Sequence, residues 1–105
     1  MGVDRTDYLM LATDVGTKGF DWDKHQAEIE GAPDAKFNIV YDGMGGQYCL
    51  AGKIIAESTP YEGFEMAKVN LADLNADELA KVVSEAFDRT LTASDFSLIL
   101  FSHFS

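Results

Sequence analysis

Apolar and polar positions alternate along this chain with periods that change from segment to segment. Asp7 to Thr13, DYLMLAT, places Tyr8, Met10 and Ala12 on one side of an extended chain and Leu9 and Leu11 on the other. A strand that is apolar on both faces belongs in the middle of a sheet. Asp14-Val15-Gly16-Thr17-Lys18-Gly19 then reads as a loop. Asp21 follows as an N-cap, opening a short helix over Trp22 to Glu30 with Trp22, Gln26 and Ile29 on one side. Gly31 and Pro33 end it.

The stretch from Lys36 to Glu57 has the pattern of a β-hairpin. In KFNIVYD, Phe37, Ile39 and Tyr41 alternate with Asn38, Val40 and Asp42. In the returning run, Tyr48, Leu50 and Ile54 face one way, and Cys49, Lys53 and Glu57 the other. Each strand is expected to be half-buried, with Cys49 on its more polar face. Asp42-Gly43, opening the tip GMGG, is a strong turn signal. Gly52 marks a bulge or a close approach within the second strand.

Thr59 to Gly63 is a second turn, and Gly63 to Leu71 is expected to be a further strand with Phe64 and Met66 inward. Asn75 is an N-cap with Glu78 three residues on. From there Leu79, Val82, Val83, Ala86 and Phe87 recur at helical spacing, and Leu91 continues the stripe. The tail DFSLILFSHF is β-rich on both faces, with Phe96, Leu98 and Leu100 opposite Ile99 and Phe101. The expected fold is α+β in the order β-α-β-β-β-α-β: a mostly antiparallel sheet of about five strands with two helices on one face, a ferredoxin-like variant. With helices on one face only, Leu9, Leu11, Ile99 and Phe101 are expected on the other, as the face of a homodimer.

At 105 residues the chain makes one domain, 1–105, without needing staples. The single cysteine fits a reducing compartment. MGVDRTDY lacks the basic-then-apolar pattern of a secretory leader, and no apolar run approaches the length of a spanning helix. The expectation is a cytoplasmic protein without membrane contact.

Eighteen acids against eight bases give a net charge of −10. The hairpin region is nearly neutral and its flanks carry the acid. Direct binding to nucleic-acid phosphates is therefore disfavoured, whereas a basic protein partner can be steered in. The contact charges expected for such a partner are Asp77, Glu78, Glu85 and Asp88 on the second helix, with Asp21 and Asp23.

Catalytic and metal motifs give little. Asp14-Val15-Gly16-Thr17 resembles the D-x-G-T phosphate turn of the sugar-kinase and Hsp70 superfamily in four positions. That superfamily is built from two duplicated lobes, so the glycines are read as turn residues. Gly43 to Gly46 opens no helix and lacks the dipole that phosphate loops use. Asp21 and Asp23 fit an acidic first turn better than a metal site, and no cofactor or metal is expected. The set Tyr8, Phe37, Tyr41, Tyr48 and Phe64 is similar in kind to the stacking surface of an RNA-recognition sheet. The signature is missing and the charge has the wrong sign.

In size, acidity and lack of enzyme motifs the chain resembles the small phage-encoded inhibitors of host nucleases and defence systems, some of which imitate nucleic acid. That resemblance implies a non-catalytic protein that docks on a basic, nucleic-acid-binding partner. The alternative is a small-ligand binder or enzyme with a pocket between sheet and helices or at a dimer interface. Tyr41, Tyr48 and His103 are then the side chains of interest.

Overall fold

The computed structural model describes residues 4–66 and 68–104. Its elements are β1 (Arg5–Asp14), α1 (Gln26–Glu30), β2 (Asn38–Tyr41), β3 (Cys49–Ser58), α2 (Ala76–Phe87) and β4 (Ser97–Phe104), with single 3₁₀ turns before and after α2. The four strands form one sheet in the order β2-β3-β1-β4, antiparallel throughout. β1 and β3 occupy the centre, and β2 and β4 are the edges.

β1 is two-sided, as its pattern requires. Leu11 joins Ile39, Cys49, Ala51 and the α2 residues Leu79, Ala80 and Val83 in the main core. Met10 and Ala12 join Val40 and Leu50 in a second core on the opposite face, flanked by Tyr8, Tyr48, Ile54, Ile99 and Phe101. α2 forms where its stripe and cap predict: Asn75 Oδ1 accepts from Glu78 N–H at 3.1 Å, satisfying a first-turn donor.

Four expectations need correction. First, the sheet has four strands among the described residues. Residues 63–66 and 68–70 have no regular structure, and Ala67 lies outside the described residues. Phe64 and Met66 alternate there, and Val69 and Leu71 do so in the opposite phase, among Glu62, Glu65 and Lys68. Met66 is 96% exposed, so no buried face offsets the entropy of ordering a strand. Second, regular helix is confined to Gln26–Glu30. Asp21 does cap, its Oδ1 accepting from Asp23 and Lys24 N–H, but what it caps is a turn over residues 22–25.

Third, the hairpin is apolar on both faces. Its register pairs Ile39 with Ala51 and Val40 with Leu50, so Phe37 and Ile39 lie under α2 with Cys49, while Val40 and Leu50 face the other way. Cys49, assigned to a polar face, is wholly buried in the main core. Fourth, Leu9, Leu11, Ile99 and Phe101 do not share a face. Leu9 is opposite Leu100 and Leu11 opposite Leu98, whereas Ile99 is opposite Met10 and Phe101 opposite Tyr8. Directly opposed residues point the same way, so the two leucines lie on the α2 side and the other pair on the second face.

The register also reveals how strongly the sheet coils. His103 pairs with Thr6 and Leu50 with Asp14, about 26 Å apart along β1 at the usual strand rise. Even so, the Tyr48 hydroxyl, two residues before Leu50, lies 2.7 Å from His103 Nδ1. A twisted sheet lifts one pair of diagonal corners toward the same side. Here the start of β3 and the end of β4 are lifted until their side chains meet above Met10 and Leu50. α2 covers the opposite face.

Gly52 permits the tight β1–β3 approach. A Cβ there would run into the Leu11 carbonyl oxygen and stand 2.6 Å from Ala12 Cα. These are backbone atoms of the central strand and cannot swing aside. The bulge lies elsewhere, at Ile55, where pairing passes from Leu9–Ala56 to Met10–Ile54. Gly52→Ala should lower unfolding free energy by about 3 kcal/mol, at the upper end of overpacking costs. Urea denaturation checks this, and a loss below about 0.5 kcal/mol would mean that β1 and β3 are not so closely apposed.

Candidate functional site

The lifted corners bring together side chains far apart in sequence. Tyr48 and His103 form their hydrogen bond beneath the ring of Tyr8, whose centroid is 6.2 Å from the imidazole. Phe101 packs against Tyr8 and Tyr48 at 5.5 and 5.8 Å. Asp42, buried at the base of the hairpin tip, holds this corner in place. Its carboxylate accepts from Gly45 N–H and Gln47 N–H, both at 3.0 Å. Gly46 N–H meanwhile reaches the Asp42 carbonyl. The tip is thus a turn, as its glycines indicate, wound around one carboxylate.

Charges at this corner follow from those contacts. The amides of Gly45 and Gln47 hold the Asp42 carboxyl below its usual range, with nearby His103 adding to the effect. Burial lowers the His103 pKa, partly offset by Asp42. Burial, then the charge of Asp42, raises that of Tyr48. At neutral pH the corner therefore holds one carboxylate, a neutral imidazole and neutral phenols.

Beside it, along the edge of β2, runs an open groove of about 440 Å³ lined by Tyr8, Trp22, Val40, Tyr41, Met44 and His103 among others. Tyr41 and Trp22 form its aromatic wall, their rings 4.7 Å apart edge to face. Of the three residues singled out as ligand contacts, Tyr41 and His103 line this groove and Tyr48 orients His103. Such a surface can stack a flat apolar group and offer it a phenol or an imidazole. No thiol is near: Cys49 lies beneath α2, where burial and then Asp14 push its pKa up to about 12, leaving it protonated and unreactive.

Of the carboxylates named as partner contacts, Asp77, Glu78, Glu85 and Asp88 are exposed along α2, and Asp21 and Asp23 are exposed before α1. They do not make one continuous acidic stripe. Asp21 and Asp88 line a cleft with Lys18, Lys24, Arg89 and His25, and Lys81 lies between Asp77 and Glu85 on α2. The D-x-G-T turn has its donors and acceptors engaged within the protein. Asp14 Oδ1 accepts from Gly16 and Cys49 N–H, and Thr17 Oγ1 donates to the Gly46 carbonyl. It is a structural loop. Among the described residues no group of His, Cys, Asp and Glu is arranged to hold a metal ion, and no helix is long and apolar enough to cross a membrane.

Sequence reasoning placed Asp42 in the turn and Tyr8 on a strand face but gave neither of them, nor His25, a role at a site. The Asp42 turn had a signal, an Asp followed by two glycines within four residues. His25 had none: it is buried between Phe20 and Phe87, with ring centroids at 5.6 and 4.5 Å, and Phe87 is far away in sequence. No family model matches this chain, and neither do any curated protein or solved structure.

Both histidines have pKa values lowered by burial, which fixes the sign of a pH effect. The unfolded chain takes up protons near pH 6.5 while the fold resists, so stability present at pH 7 is lost as pH falls from about 6.5 toward the folded-state pKa values. Urea denaturation should show a fall between pH 7 and 5 that is shallower in His103→Gln. A wild-type profile flat across that window would show that neither histidine is held neutral by the fold.

Proposed function

We propose that the protein is a non-catalytic interaction protein that docks a basic protein partner through carboxylates on α2. The observation that carries this reading is that Asp77, Glu78, Glu85 and Asp88 are all exposed and that none has a cation within 4 Å among the described residues. Among the described residues one ion pair occurs, Arg5 with Asp7 at 3.2 Å. The charge of −10 is thus left for solvent or a partner to neutralise, and an uncompensated acidic face attracts basic proteins. Cations lie near all of these groups: Lys18, Lys24 and Arg89 share a cleft with Asp21 and Asp88, Lys36 and Lys53 share one with Glu78, and Lys81 stands between Asp77 and Glu85. The contact is centred on Asp77, Glu78 and Glu85 because they lie on one helix. A partner that itself binds nucleic acid has the required surface, as in the resemblance to phage inhibitors. The ferredoxin-like description is likewise our reading, supported by the element order and the strand order β2-β3-β1-β4.

Glu78→Lys with Glu85→Lys should leave stability within about 0.5 kcal/mol, as exposed substitutions do. It should also abolish capture of a basic partner from host lysate at low salt. Elution of that partner by about 0.5 M salt is expected of electrostatic docking. Equal capture by the double mutant, or none by the wild type, would refute the reading.

A second copy of the chain is proposed as a further partner, at an edge of the sheet and not on a face. β4 is an eight-residue edge strand without Asp, Glu, Lys or Arg, and it has no Pro to discourage pairing. The other edge, β2, is four residues long and packed by α1. Leu98, Leu100 and Phe104, which lie on the α2 side of the sheet beyond the helix, are 52%, 71% and 48% exposed. Antiparallel pairing of two β4 strands about a twofold axis would join these rows and bury on the order of 1,000 Å², the small end of specific interfaces. Sedimentation at rising concentration should show a reversible dimer that Leu100→Lys abolishes. A wild-type monomer at millimolar concentration would remove this proposal.

A further inference from the structure

The cleft between the C-terminal end of α2 and the loop after β1 differs in charge from the rest of the molecule. Its volume is about 260 Å³, and Lys18, Lys24 and Arg89 line it together with Asp21, Asp88 and His25. Three of the eight basic residues of a strongly acidic chain thus gather at one place. None of the three has a carboxylate within 4 Å among the described residues, although two carboxylates share the cleft. Asp21 is otherwise engaged, since its Oδ1 accepts from two backbone amides of its own turn. Asp88 is held in the left-handed conformation at the helix end, with φ 50°.

His25 forms part of the inner wall of the cleft. The ring is 5% exposed, it borders the cleft, and its Nδ1 has no hydrogen-bond partner. This nitrogen is closed to solvent, so it does not contact a group bound in the cleft, and the three cations carry the site.

We propose that this cleft binds a phosphate group, with Lys18, Lys24 and Arg89 providing the charge. Three cations on flexible stems suit a compact dianion, and a guanidinium can hold two of its oxygens at once. Asp21 and Asp88 oppose a second negative group, so the site selects a single phosphate over a polyphosphate or a nucleic-acid backbone. The proposal is independent of docking through α2, because Glu78 and Glu85 do not line this cleft.

The test is a ¹⁵N-resolved NMR titration of the whole chain with sodium phosphate, against sodium chloride at matched ionic strength. Phosphate should give saturable shifts at Gly16, Gly19, His25 and Arg89 that chloride does not. Lys24→Gln with Arg89→Gln, both exposed positions, should weaken binding about tenfold or more, as expected for lost charge-assisted hydrogen bonds. The single variant Lys18→Gln gives a second reading should that pair perturb the fold. Parallel titrations with a mononucleotide and a phosphoserine peptide distinguish a small metabolite from a modified protein as the source. Linear shifts, equal response to chloride, or equal shifts around Lys36 and Lys53 would overturn the proposal.

Discussion

β1 has to close two cores at once, and the rest of the molecule is arranged around that requirement. Met10, Leu11 and Ala12 are consecutive, point to alternating faces and are all buried. No single layer of helices can cover such a strand. One face is covered by α2. The other is covered by the sheet itself, which coils until aromatic side chains from its lifted corners close over Met10, Ala12, Val40 and Leu50. Coiling of this degree requires the central strands to approach closely, which is why position 52 of β3, directly against Ala12, has no side chain. The absence of one methyl group on β3 and the shape of the second face are parts of the same packing solution.

The parts of this architecture that sequence discloses are those with a strong local period or a capping group. The two-sided pattern of β1, the stripe of α2 and its Asn75 cap, and the hairpin turn at Asp42 could all be read directly. What failed depended on register. Alternation says that Val40 and Ile39 face opposite ways, but not which faces Leu50. Assigning the large residues of both hairpin strands to one face was the natural choice, and the pairing of Val40 with Leu50 contradicts it. The same ambiguity separated Leu9 and Leu11 from Ile99 and Phe101. The expected strand over 63–71 failed for a different reason: Phe64 and Met66 alternate in one phase and Val69 and Leu71 in the other, and all four are exposed.

The Tyr48–His103 contact was less legible still. Each residue could be suspected of a role, but their meeting depends on the accumulated twist of three strands, a property of the sheet that no segment encodes alone. Asp42 then takes on a meaning beyond its turn. By accepting from Gly45 and Gln47 it fixes the tip, and the tip leads directly into Tyr48. One buried carboxylate therefore sets both the shape of the loop and the position of the phenol that faces His103. A carboxylate already engaged with two amides has little basicity left for proton transfer, so this corner is better suited to orienting a bound group than to moving protons.

The distribution of charge leads to the same division of roles. A chain with eighteen acids could have paired its eight bases internally, which would have lowered the field at its surface. Instead the described residues contain one ion pair, and three of the bases stand unpaired around one cleft while the α2 carboxylates stand unpaired along that helix. Exposed pairs contribute little to stability, so folding does not demand that they form and leaves both sets of charge free to act externally. Asp77 and Glu78 lie at the start of α2 and Arg89 lies beyond its end, with Glu85 one turn before Arg89. A basic partner drawn to Asp77 and Glu78 at the start of the helix therefore meets an opposing field as it nears Arg89, which favours one orientation of docking along the helix over its reverse.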